Sequence, residues 1–266
     1  MPQNNDDRLI IEQKDRIATF TIDNPAKRNA LTPGILNTLE MELKRLSKSS
    51  DIRCVIIRGS GDELFSSGYD ISALNSGVKR RVLVRTPDEV TSAFQAVKAF
   101  PYPVIAMLNG DAFGGGFNLC ACCDMRIARE GIRLGMTAAR LGVGYDPDGI
   151  RQFIEAFGIS RTKEIFYTAN IFKGDTLLSK GLVDYLVKKE EFEGYVREFA
   201  CKITQNAPLT LKSVKKTISM FENIRSLSGK DLEKANESMQ LCYLSEDLLE
   251  GQSAFWEKRV PEFKGK

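Results

Sequence analysis

The chain has 266 residues, of which 42% are apolar and 27% charged, and it contains no histidine. Without imidazole there is no Ser-His or Cys-His nucleophile pair and no His-ligated metal, so proton transfer falls to carboxylates, Lys, Tyr, Cys or water. The 38 basic and 35 acidic residues leave a net charge of +3, too mild for general nucleic-acid binding but compatible with a local anion site.

The length suits one large domain or one domain plus an appendage. Three of the six cysteines crowd into Cys120-Ala121-Cys122-Cys123, inside an apolar run. That is not zinc spacing, and it reads as buried thiols in a reducing compartment. The polar N-terminus is no targeting peptide, and no apolar run reaches the roughly 20 residues that span a bilayer. A cytoplasmic protein without membrane attachment is expected.

In chain order, 9–12 and 17–22 read as strands joined tightly at Lys14-Asp15. Thr32-Pro33 opens a helix, with the hydroxyl as N-cap and Pro at the first helical position. Ile35, Leu36, Leu39, Leu43 and Leu46 give it one apolar face. Residues 54–57 form a buried strand, followed by a loop from Gly59 to Asp70. The polar, basic stretch 73–88 is poorly periodic and reads as mobile. A helix starting at Pro87 turns Val90, Phe94 and Val97 inward, and 103–107 is a strand. Gly114-Gly115-Gly116 opens a short apolar helix, 125–128 is a strand, and helices follow near 149–157 and 160–168. The last strand is 182–187. Beyond it the chain reads as helical over 190–204, 208–221, 229–247 and 250–258. Strands are not regularly alternated with single helices, so a doubly wound sheet fits poorly.

The glycine triplet is not a phosphate loop: neither a following Lys-Ser/Thr nor a G-x-G-x-x-G spacing is present. Glycines at a helix start can instead expose backbone N–H groups to a developing negative charge, or simply allow close helix–strand packing.

Several segments together resemble the crotonase (enoyl-CoA hydratase/isomerase) superfamily. They are Asn24-Pro25-Ala26-Lys27-Arg28-Asn29-Ala30-Leu31, Phe65-Ser66-Ser67-Gly68-Tyr69-Asp70-Ile71, the run from Pro103 to Gly110, Gly114-Gly115-Gly116 with Cys123-Asp124, Leu141-Gly142, and the run from Ser253 to Arg259. The resemblance implies an α/β fold, a crotonase-like ββα spiral core over 1–190 with a C-terminal helical trimerisation region over 191–266. It implies an acyl-CoA thioester substrate, with coenzyme A part of that substrate and no further cofactor or metal, and a homotrimer or a hexamer of paired trimers.

By position, the resemblance assigns the oxyanion hole to the backbone N–H groups of Tyr69 and Gly115. It assigns substrate and CoA contacts to Lys27, Arg28, Ala30, Ser67, Asp70, Ile71, Gly114, Tyr145, Phe255 and Lys258, the last two approaching the nucleotide from a neighbouring subunit in some relatives. Lys27, Arg28 and Lys258 also read as solvated surface charge. Tyr69 and Tyr145 read equally as core packing.

Where hydratases of the family carry two glutamates, this chain has Asn118 and Ala138. Neither takes a proton, so a standard hydratase is disfavoured. Asp146, four residues after Gly142, stands where family isomerases carry their acid and where a related dehalogenase carries its nucleophile. That dehalogenase uses a His, which this chain lacks. The expected reaction is a double-bond shift in an enoyl-CoA through a dienolate, with Asp146 as proton shuttle and Asn118 as a polar orienter. Three alternatives stay open. Asp146 could activate water in a hydratase or hydrolase of a cyclic or aromatic-pathway acyl-CoA. The chain could be a non-catalytic CoA- or RNA-binding member. Asp146 could be only the N-cap of the next helix, and Asn118 only a structural amide.

Overall fold

The computed structural model describes residues 7–49, 51–69, 88–223 and 228–264. The expected contacts Asp70 and Ile71, and the 73–88 stretch up to residue 87, lie outside the described residues.

Among the described residues, ten strands form two sheets. The six-stranded sheet runs in the order β1 (Arg8–Lys14), β2 (Ile17–Asp23), β3 (Cys54–Gly59), β5 (Val104–Leu108), β7 (Met125–Arg129) and β10 (Tyr185–Val187). β1 and β2 form an antiparallel hairpin, and every later neighbour is parallel. Residues 54–57 of β3 and all of β5 read as unbroken apolar runs because both faces of a parallel sheet are covered, and every residue of β5 is buried. On one face lies the main core, with Phe20, Val55, Ala106 and Leu108 against α1 (Pro33–Leu46) and α2 (Asp88–Ala99). On the other, Ile56, Ile105 and Ile127 meet Phe192, Val196 and Ala200 of α6 (Lys189–Thr204). That helix, which begins at Lys189, packs on the sheet.

The second sheet has no counterpart in the sequence pattern. It joins β4 (Leu64–Ser66), β6 (Asp111–Phe113), β8 (Arg133–Gly135) and β9 (Ile171–Lys173), each three residues long. Three residues are too few to display a period, so these segments read as loop. Glycine lets the two sheets approach: a Cβ on Gly110 would lie 2.4 Å from Leu64 N. Asn109 ties the strand ends together, accepting from Gly59 N and donating to the carbonyls of Gly59 and Gly61.

The helices expected at 149–157 and 160–168 run on as α4 (Pro147–Thr168), broken at Gly158, whose φ of 75° is outside the helical region. The last expected strand shortens to β10. The helix expected over 229–247 is interrupted: α8 (Gly229–Tyr243) ends first, and Ser245 caps α9 (Glu246–Glu257) by accepting from Leu248 N. The remaining helices are α3 (Gly115–Cys122), α5 (Thr176–Ser179) and α7 (Pro208–Asn223). Among the described residues, no helix is long and apolar enough to cross a membrane.

Candidate active site

The turn after β2 is built by two buried asparagines. Asn29 Nδ2 donates to the carbonyls of Ser60 and Leu64, its Oδ1 accepts from Asn24 N, and Asn24 Nδ2 donates to Ala30 O. This staple holds the one-turn helix Pro25–Lys27 and presents Lys27 and Arg28 outward. The turn is then sewn to the loop after β4: Ser67 N donates to Arg28 O, and Leu31 N to Gly68 O.

That loop carries Tyr69 to the start of α3. Gly68 has a φ of 102°, and a Cβ there would lie 2.8 Å from Phe113 O and 3.0 Å from Gly115 N. A Cβ on Gly115 would lie 3.2 Å from Tyr69 N. The two backbone nitrogens expected to form an oxyanion hole are thus brought side by side. Gly115 is the first residue of α3, where a helical N–H has no partner within the helix and the dipole favours negative charge.

Both nitrogens' residues line a cavity of about 700 Å³. Lys27, Arg28, Ala30 and Ser67 lie on it, as do Gly114, Asn118, Tyr145, Asp146 and Phe255. Lys258 is not on its wall; it is the exposed C-cap of α9, with φ 56°. Met136, Gln152 from the start of α4, Tyr243 from α8 and Trp256 from α9, to which the sequence assigned no role, also line it, as do Phe94 from α2 and Asp148.

The C-terminal wall comes from this same chain. Small residues let α8 and α9 sit directly on the segment around 138–144: a Cβ on Gly142 would lie 2.6 Å from Asp247 O, one on Gly144 2.5 Å from Met239 O, and one on Gly251 2.5 Å from Leu141 C. Phe255 therefore reaches the cavity without a neighbouring subunit.

Asp146 is the N-cap of α4, and its Oδ1 accepts from the N–H groups of Asp148 at 2.8 Å and Gly149 at 3.2 Å. The cap and the cavity position coexist, so the two readings of this residue are not exclusive. Asp148 lines the same cavity, with its carboxylate 3.2 Å from Arg151 Nε.

Asn118, on the wall opened by α3, is buried and accepts the Tyr145 hydroxyl proton at 2.8 Å through Oδ1. Its Nδ2 donates to Gln152 Oε1 at 2.6 Å. The Tyr145 ring is wedged against Phe166, with centroids 5.1 Å apart, and Phe153. Burial, with the nearby Cys122, Asp146 and Tyr243, pushes the Tyr145 hydroxyl well above the usual tyrosine value, so it stays protonated. Burial and Asp146 likewise push Tyr243 up to about 12. The cysteines beneath the site are held neutral by burial, Cys123 at about 12, and Cys120 and Cys122 well above the ordinary thiol value.

Two sheets, a helix start facing a strand-end loop and an acid-bearing cavity closed by C-terminal helices make up a crotonase fold. The chain matches the enoyl-CoA hydratase/isomerase family model over residues 12–266 and belongs to that family. It is 31% identical to methylmalonyl-CoA decarboxylase of Escherichia coli (strain K12), covering 94% of this chain and 95% of that protein. It is 30% identical to short-chain-enoyl-CoA hydratase of Clostridium acetobutylicum, covering 96% of each. A solved structure of methylmalonyl-CoA decarboxylase in complex with 2-nitronate-propionyl-CoA superposes with a TM-score of 0.88 at 30% identity, over 97% of this chain and 98% of that one.

Proposed function

We propose that this protein is an acyl-CoA isomerase that shifts a double bond through a thioester dienolate. The observation that carries this reading is that Asp146 lines the same cavity as Tyr69 and Gly115, with Asn118 and Ala138 where a glutamate pair would act in hydration. Asp146 takes a proton from C2 of a 3-enoyl thioester. The C–H electrons move into the conjugated system, and charge collects on the thioester oxygen between the two N–H donors, which are oriented before reaction. The same carboxyl returns the proton to C4, giving the 2-enoyl thioester with no change in composition. Lys27 and Arg28 at the cavity mouth meet the CoA phosphates. A homotrimer or paired trimers belong to this reading, supported by the exposed Val214, Ile218 and Phe221 along one face of α7; sedimentation tests it.

A second reading is decarboxylation of a 2-carboxyacyl-CoA. It is favoured by the likeness to methylmalonyl-CoA decarboxylase and by the uncharged Tyr145–Asn118–Gln152 chain, since decarboxylation needs an enolate site but no base. The C–COO⁻ bond breaks, CO2 leaves, and the enolate takes a proton at C2. Weighing against it, Asp146 and Asp148 would face an incoming carboxylate with like charge.

Mass spectrometry in D2O separates the readings, with linear and cyclic enoyl-CoAs and a malonyl-type thioester as substrates. Isomerisation leaves the composition unchanged, with deuterium entering only where the carboxyl exchanges its proton with solvent before returning it; hydration adds one water, and decarboxylation loses CO2. Full isomerase activity in Asp146→Asn, or turnover confined to the malonyl-type thioester, would overturn the isomerase reading.

A further inference from the structure

The hydrogen-bond chain behind the cavity has a direction, and Gln152 is the residue placed to set it. A primary amide offers a donor at one end and an acceptor at the other, so Asn118 could in principle meet Tyr145 with either. Gln152 Oε1, 2.6 Å away, takes Asn118 Nδ2; Cys122 Sγ, at 3.8 Å, lies on the same amide end. Only Oδ1 is then left to face Tyr145, and it accepts the phenol proton at 2.8 Å. Asn118 and Gln152 are each 3% exposed, and in such a setting a reversed amide leaves polar groups unpaired at a cost water does not offset.

We propose that Gln152 is a positioning residue that fixes the direction of this chain, so that Tyr145 faces the cavity as a hydrogen-bond acceptor and not as a proton donor. The phenol has one proton, and that proton is committed to Asn118. Proton delivery to a carbanion in the cavity is thereby left to Asp146. This last step rests on the isomerase reading; the direction of the chain does not.

The test reads the direction itself. Tyrosinate absorbance is titrated for wild type, Gln152→Met, Gln152→Glu and the double variant Gln152→Met/Tyr145→Phe, with circular dichroism marking the pH range over which each stays folded. The ionisable groups around the Tyr145 ring, Cys122, Asp146 and Tyr243, are common to the Gln152 variants and wild type. In wild type, Asn118 Oδ1 faces the phenol oxygen and opposes its ionisation. Once the acceptor at 152 is gone, Asn118 can turn Nδ2 towards that oxygen and donate to the phenolate, which favours the charged form.

The expected result is one tyrosine per chain ionising at a lower pH in Gln152→Met than in wild type, although burial still holds it above the ordinary tyrosine value. This step should be absent from the double variant and from Gln152→Glu, whose carboxylate still accepts from Asn118. Gln152→Asn, too short to reach Asn118, serves as a second variant if Gln152→Met does not fold. On whichever enoyl-CoA the enzyme turns over, kcat should fall about tenfold, roughly the effect of one net hydrogen bond, with KM little changed. A tyrosine titration of folded Gln152→Met or Gln152→Asn that superimposes on wild type overturns the proposal. Because the titration needs no turnover, it decides the direction of the chain even if the isomerase reading fails.

Discussion

Gly149 and Tyr145 are in a contact that any side chain at 149 would destroy. A Cβ on Gly149 would lie 2.5 Å from Tyr145 Cε1 and 2.9 Å from Asn118 Oδ1. Gly149 is buried in the first turn of α4 and donates its N–H to the Asp146 cap, so the helix start cannot simply back away. Gly149→Ala is expected to cost about 1–3 kcal/mol through overpacking and to lengthen or break the Tyr145–Asn118 bond. Thermal unfolding measures the first effect. A crystal structure of the variant that keeps the 2.8 Å bond would refute the second.

Asp146 carries two duties that one pair of substitutions separates. Asn at 146 keeps a side-chain oxygen that can accept from Asp148 N and Gly149 N, but it cannot carry a proton. Ala loses both functions. Asp146→Asn should unfold within about 0.5 kcal/mol of wild type, whereas Asp146→Ala should lose roughly 1 kcal/mol, the usual worth of an N-cap. Both should be inactive in isomerisation. Equal stability of the two variants would show that the cap contributes nothing.

The elements that the sequence reveals are those long enough to display a period. The apolar runs of β3 and β5, and the five-leucine-or-isoleucine face of α1, belong to segments of five residues or more and are legible. The three-residue strands of the second sheet are not; their places are set by contacts with the first sheet, such as the closeness of Gly110 to Leu64. In the site, Asp146, Asn118 and the Tyr69–Gly115 pair are legible through the family pattern of their segments. Gln152 is not, because a glutamine within a helix looks the same in sequence whether it faces water or a buried amide. Tyr243 and Trp256 are hidden for a different reason: the fold-back of α8 and α9 depends on Gly142, Gly144 and Gly251, which carry no period. The break between those two helices does have a local signal, Ser245-Glu246-Asp247, an N-cap followed by acids in the first turn.

Gly115 and Gly68 should respond to alanine in opposite ways. Gly115 is the first residue of a regular helix, so Ala suits its backbone, but the new methyl would sit about 3.2 Å from Tyr69 N, in the notch proposed for the oxyanion. Gly115→Ala is expected to fold with unchanged stability and to lose about 10²–10³ in kcat. Gly68→Ala, with φ 102° and a methyl driven to 2.8 Å from Phe113 O, should destabilise the protein by about 1–3 kcal/mol. Unfolding curves and kcat for the two variants check the contrast. Wild-type turnover by Gly115→Ala would remove the oxyanion assignment.

The described residues include all six cysteines, and none of the six is in a disulfide, yet they differ in access. Cys54, Cys120, Cys122 and Cys123 are buried, and burial pushes each thiol above its ordinary value, which keeps the nucleophilic thiolate scarce. Only Cys201 and Cys242 are partly exposed. A thiol reagent should therefore label no more than these two in the folded protein at neutral pH and all six after denaturation. Rapid labelling of Cys120, Cys122 or Cys123 by peptide mapping would contradict the packing described for α3.

Three helices meet at one ammonium, that of Lys98. Glu155 of α4, its side chain 4% exposed, lies 2.6 Å from Lys98 of α2 and 2.7 Å from Arg151, and Lys98 reaches Glu222 of α7 at 3.2 Å. Removing one partner of a buried ion pair leaves the other charge uncompensated, so Glu155→Gln is expected to cost about 3 kcal/mol. Burial alone would lower Lys98, but its hydrogen bond to Glu155 and the charges of Glu155 and Glu222 outweigh burial and hold it above the usual lysine value. The folded state thus keeps this proton more tightly than the unfolded chain. The stability from Lys98 is complete below the unfolded value of about 10.4 and is lost as pH rises through the higher folded one. Between neutral pH and the onset of that window, the difference in Tm between wild type and Lys98→Met should stay constant. It should shrink as pH climbs beyond the window's lower edge. A difference that instead grows with pH would mean that Lys98 is held neutral in the folded protein, and that the Glu155 pair does not outweigh its burial.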